Sequence, residues 1–178
     1  MAVSEATRRE TKYGPVYDGE GWFVLNAREI CWRDYGPLGI GCDFEGKRRF
    51  RQVGINLNVL NQGEPLGLYH REDRQEGFLV LAGECVLIVE GEERLLKAWD
   101  FFHCPAGTAH VLIGAGDGPA VVVAVGARGG RRGLVYLVET AALAHDAGVA
   151  EQTADYAEAY ARFPAPTRAR YGGRLPEL

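Results

Sequence analysis

Phe78-Leu-Val-Leu-Ala-Gly83-Glu-Cys85-Val-Leu-Ile-Val-Glu90-Gly91-Glu92-Glu-Arg-Leu-Leu-Lys97 is the stretch that decides the fold class. Phe78–Ala82 is an apolar run of strand length that stops at a glycine. Cys85–Glu90 is a second such run, and Glu90-Gly91-Glu92 turns the chain into Glu92–Lys97. Short apolar runs rich in β-branched residues and punctuated by glycine read as strands joined by hairpins, not as helices.

The same grammar extends in both directions. Val53–Leu60 alternates apolar and polar residues with period two, the pattern of a half-buried strand. Asp100–Cys104 runs into the turn Pro105-Ala-Gly107, and Ala109–Ile113 continues from it. Ala120–Gly126 follows a Gly-rich loop, and Leu134–Val138 is placed to close the sheet. Strands at roughly ten-residue spacing predict an all-β antiparallel sandwich or small barrel. Before it, residues 1–20 read as a polar N-terminal arm, Gly21–Asn26 as a first strand, and residues 29–50 as irregular with room for one short strand. After it, Thr153–Phe163 reads as a helix capped by Thr153 and ended by Pro164. Tyr156, Tyr160 and Phe163 share one face of that helix, which assigns them to packing on the sheet or on a second subunit. The expected organisation is arm (1–20), barrel (21–138) and helical tail (139–178).

Composition narrows the function classes. The 178 residues are 47% hydrophobic and 25% charged, with 24 glycines and a net charge of −4. A chain of this size buries a sizeable core without staples. Its acidic balance argues against nucleic acid or an anionic membrane surface as partner. Arg128, Arg131 and Arg132 cluster in a Gly-rich stretch that reads as a solvated loop. The four cysteines, Cys31, Cys42, Cys85 and Cys104, show no Cys-x-x-Cys spacing. With no apolar leader and no run of about 20 apolar residues, the expectation is a cytoplasmic protein with reduced thiols.

Chemistry concentrates in two segments. Gly67-Leu-Tyr-His70-Arg-Glu72-Asp-Arg-Gln-Glu76 precedes the strand that ends at Gly83. Asp100-Phe-Phe-His-Cys-Pro105-Ala-Gly107-Thr-Ala-His110 lies about forty positions later. His70 and Glu72 share a face of an extended strand, and the Pro-x-Gly turn can present His110 beside it. Two imidazoles and two carboxylates, His70, Glu72, Glu76 and His110, are a plausible donor set for one divalent transition metal: Mn, Fe, Zn or Ni. Asn56 and Asn58 are candidates to face the same space, as are Tyr69, Phe78, Trp99, Phe101 and Phe102. His103 and Cys104 read as packing or surface residues, and His145 as remote from the chemistry.

These two segments resemble the paired motifs of the cupin superfamily. His70 takes the first histidine position of its first motif, and Glu76 the glutamate position, six residues before Gly83. Pro105, Gly107 and His110 match the second motif in register. The resemblance covers about residues 50–127 and implies a double-stranded β-helix, or jelly-roll, barrel with a short C-terminal helical appendage. It also implies a metal held by His70, Glu76 and His110. This sequence departs from the pattern where Glu72 replaces the second histidine and Gly114 the final asparagine. Glu72 is therefore read as a fourth ligand or, failing that, as a catalytic acid/base. The resemblance implies a metal-dependent enzyme on a small polar metabolite, of dioxygenase, isomerase or lyase type, working as a homodimer. The alternatives are a non-catalytic binder of a sugar-like or acidic ligand, and a metal-free barrel.

Overall fold

Two antiparallel sheets pack face to face in the computed structural model, which describes residues 2–129 and 133–175. A separate hairpin precedes them, formed by β1 (Thr7–Thr11) and β2 (Gly14–Asp18). Five further strands in chain order are β3 (Trp32–Asp34), β4 (Ile40–Asp43), β5 (Val53–Leu60), β6 (His70–Arg71) and β7 (Glu76–Ala82). Then come β8 (Glu84–Val89), β9 (Glu92–Lys97), β10 (Phe101–Cys104), β11 (His110–Ala115) and β12 (Ala120–Ala127). The chain ends with β13 (Val135–Tyr136), α1 (Thr140–Ala144), α2 (Tyr156–Ala159) and β14 (Thr167–Ala169). The larger sheet has the order β10-β7-β12-β5-β4-β3-β14, and the smaller one β13-β6-β11-β8-β9. This is the antiparallel all-β body that the strand pattern predicts, in the jelly-roll form with a short helical appendage that the resemblance implies.

The sheets are held together by one apolar layer. Leu60, Phe78, Val80 and Val122 from the large sheet meet Cys85, Leu87 and Leu112 from the small one. Each alternates along its strand with residues on the outer face, as period-two burial requires. Outside the large sheet a second cluster gathers around Trp32, Leu57 and Val59. The turn between β8 and β9 is a two-residue hairpin in which Glu90 and Gly91 both take positive φ (51° and 80°). That is the mirror-image turn whose twist matches the flanking strands.

Several expectations are corrected. The polar arm is largely the β1–β2 hairpin. Gly21–Asn26 is not a strand; only Trp22 makes a bridge, to Glu5. Residues 29–50 supply two strands and a 3₁₀ turn at Gly36–Leu38. The helix expected over Thr153–Phe163 shrinks to the single turn of α2. Asp155 caps it, accepting from the amides of Ala157 and Glu158 at 2.6 and 3.4 Å. Thr153 is instead committed to a backbone bridge with Tyr136. The tail adds a strand as well, because β14 pairs with β3. Among the described residues no helix is long and apolar enough to cross a membrane.

Gly83 closes the tight link between β7 and β8 at φ 71°. A Cβ there would sit 2.5 Å from the Pro119 carbonyl oxygen. Left-handed backbone costs a non-glycine residue about 1–2 kcal/mol, and the clash adds to it. Gly83→Ala should therefore lower the urea unfolding free energy by more than about 2 kcal/mol. An unchanged midpoint would contradict this account of the turn.

Candidate metal centre

His110 opens β11 and lies directly opposite His70 of β6. Glu76 opens β7 in the other sheet, so the three side chains converge from both layers. The turn that delivers His110 is anchored twice. The Thr108 amide bonds the Pro105 carbonyl at 3.2 Å, and the Gly107 amide bonds the Glu72 carbonyl at 2.8 Å. The two imidazole rings stand 4.9 Å apart, tilted by 49°.

Hydrogen bonding fixes which nitrogen of each ring is available. His70 Nδ1 lies 2.7 Å from the Leu68 carbonyl, and His110 Nδ1 lies 3.1 Å from the Thr108 carbonyl. A carbonyl only accepts, so each Nδ1 carries the proton and each Nε2 keeps its lone pair. Those Nε2 atoms lie 3.9 Å (His70) and 3.4 Å (His110) from the same oxygen, Glu76 Oε2. All three donor atoms fall within 4.8 Å of one another. Adjacent ligands on an ion at about 2.1 Å are separated by about 3 Å, so modest closure completes the set. The residues fit a divalent metal. Orientation of ligand rings by backbone carbonyls is the usual support of such sites.

The electrostatics agree. Burial, and then the neighbouring His70, push the His110 pKa down to about 4, so the ring is neutral and able to ligate at neutral pH. Cys104 Sγ lies 3.3 Å from His110 Nδ1. Burial, with Glu76 and Glu72 nearby, pushes its thiol up to about 12, so it stays protonated and would not compete for a metal. Cys104 thus does more than fill space: it packs against the protonated edge of a ligand ring.

The triad sits in the wall of a cavity of about 360 Å³. Of the expected lining residues, Asn56, Asn58 and Phe78 are there. Tyr69 is buried in another cluster, Trp99 and Phe101 are exposed, and His103 is on the surface. His145 pairs with Glu93, away from the site. Four tyrosines complete the wall: Tyr35 and Tyr136, which the sequence leaves unassigned, and Tyr156 and Tyr160, which it assigns to packing alone. Tyr160 both packs and lines. Its ring joins the cluster of Leu68, Tyr136, Val149 and Ala159, and its hydroxyl accepts from the Leu68 amide at 3.2 Å. Glu72 stands apart from the triad: it is buried and lines an adjoining cavity.

A family model for the cupin domain matches residues 57–126, which include the whole triad. These residues form a cupin domain. KdgF from Halomonas sp. has the same fold at 21% identity, with a TM-score of 0.51 over 62% of this chain and 96% of that one. An RmlC-like cupin from Shewanella frigidimarina aligns at 17% identity and TM-score 0.50, over 62% and 93%. A cupin-superfamily sugar phosphate isomerase from Silicibacter pomeroyi is 28% identical over 51% of this chain, with a TM-score of 0.47. This chain spans only 59% of that protein's length. No curated protein sequence matches this chain.

Two outcomes follow from this geometry. Glu76→Gln should weaken metal binding at least about a hundredfold in a chelator competition, whereas Glu72→Gln should leave it within a few-fold. Comparable losses in both variants would restore Glu72 to the ligand set. Acid should also destabilise the metal-free protein over a defined window. Unfolded His110 takes up a proton near pH 6.5 and folded His110 only near 4. The unfolded state therefore binds more protons between these values, and stability falls as pH drops through them, by about 3 kcal/mol in all. His110→Gln should flatten that slope in urea melts.

Proposed function

We propose that this chain is a metal-dependent enzyme acting on a small, oxygen-rich molecule. The observation that carries this reading is the placement of a three-ligand cluster in the wall of a 360 Å³ cavity. Three protein donors leave further coordination positions facing a space of substrate size. A fourth protein ligand would instead close the centre and favour a purely structural or binding role. Among the described residues the cluster has three members.

A divalent ion there would act as Lewis acid and template for a chelating substrate. The protein's own residues do the rest. Asn58 Nδ2 donates to Asn56 Oδ1 at 2.8 Å, which leaves the Asn56 amide hydrogens for a ligand oxygen. Phe78, Leu66 and the tyrosines form walls that displace water from a bound molecule. Dioxygenation, isomerisation and lyase chemistry are all compatible with such a centre. Two histidines and one carboxylate with open positions is the donor set of non-haem iron oxygenases, which favours the first.

Metal analysis after reconstitution, with water-proton relaxation of the Mn²⁺ form, tests this. One metal per chain and a relaxation enhancement that chelating 2-oxo acids suppress are expected. No metal uptake, or a bound ion without exchangeable water, would defeat the enzyme reading. Oxygen uptake by the Fe²⁺ form across a metabolite panel then separates oxygenase from isomerase or lyase.

A further inference from the structure

A second cavity, of about 430 Å³, adjoins the metal centre on its other side. Asn56, Glu76 and Ala124 line both cavities, so the Glu76 carboxylate stands at their junction. The register explains why there is room. On the inner face of the large sheet, Glu76 of β7 is level with Gly126 of β12, which is level with Gly54 of β5. This row continues from the carboxylate without a side chain and makes a smooth floor leading away from the triad.

At the far end of that floor the lining changes character. Arg49, Arg74 and Arg128 all reach this cavity. Arg128 is not the solvated loop residue that its Gly-rich setting suggests. It lies over Gly54, where a Cβ would meet its guanidinium at 2.7 Å. It pairs with the buried carboxylate of Glu45 and donates to the Phe50 carbonyl at 3.0 Å. Arg131 and Arg132, the other members of that cluster, lie outside the described residues. The lining and its paired neighbour also hold Glu72, Glu76 and Glu45. Three guanidiniums then meet three carboxylates, and a dication on the triad leaves the region cationic.

We propose that this second cavity is the subsite for an oxyanion of the substrate, a carboxylate or a phosphate. Arg49 and Arg74 hold the anion, and Arg128 braces the wall behind them. The inference rests on the metal-centred reading above, and it narrows the substrate from a small oxygen-rich molecule to one with a chelating head and a distal acid. Arginine's planar fork suits both anions. The glycine floor gives a connecting chain its path past Glu76.

The test compares 2-oxo acids with and without a terminal carboxylate, over a series of chain lengths, by calorimetry on the Mn²⁺ protein. At one length the diacid should bind at least about tenfold more tightly than its monoacid counterpart, a typical gain for a charge-assisted contact. Arg49→Gln, at an exposed position, and Arg74→Gln should each remove most of that preference. Metal content and monoacid affinity should stay unchanged. Equal binding of mono- and diacids at every length, or a preference that survives both substitutions, would overturn the subsite. A wild-type protein that takes up no metal would sink the function proposed above instead. In that case inorganic phosphate on the metal-free protein decides: binding weakened about tenfold by Arg49→Gln supports the subsite, and binding that is undetectable or insensitive to it refutes the subsite. A phosphate preference over dicarboxylates in the same assays identifies the anion.

Discussion

The pairing of His70 with His110 across β6 and β11 is the constraint on which the site depends. β6 is only two residues long, so it has little of its own to hold it. It is kept in place by β11 on one side and β13 on the other, and by the Leu68 carbonyl that fixes its histidine ring. The third donor comes from the opposite sheet. A metal at this point would tie the two layers together where the apolar core gives way to the cavity. Binding there would therefore also be folding free energy, so that the centre and the barrel would stabilise each other.

Much of this was legible in the sequence, for reasons that can be named. The strands from Val53 to Gly126 follow period-two burial and glycine punctuation, which are local signals. The hairpin at Glu90-Gly91 announces itself by residue type. His70, Glu76 and His110 stand out through their register with the paired cupin motifs; residue types and strand parity alone left the set open and did not place Glu76. The reading was least decisive at Glu72, where strand parity with His70 suggested a shared face. The chain leaves β6 at Arg71, so that parity no longer applies, and Glu72 lies in the neighbouring cavity.

What the sequence withheld was mostly long-range. Tyr35, Tyr136, Tyr156 and Tyr160 line the cavity only because distant segments are brought to one place, and no local period encodes that. The aromatic spacing of Tyr156, Tyr160 and Phe163 was correctly an apolar face. It belongs to a single capped turn, however, and serves the cluster beneath and the cavity at once. Arg128 misled for a related reason. Glycine neighbours suggest a loop, but Gly54, on the adjoining strand, is what gives its side chain a place to lie.

The division of labour along the chain has a consequence for how such a protein can diversify. All three candidate ligands fall between residues 70 and 110, inside the cupin domain. Much of the wall that meets a ligand is supplied from outside that domain, by Tyr35 and by the segment from Leu134 to Tyr160. Changes in those flanking stretches can reshape what the cavity accepts while leaving the donors and their supporting carbonyls untouched. Donor geometry and cavity shape are thus separately heritable, the one written in the barrel and the other in the chain that wraps it.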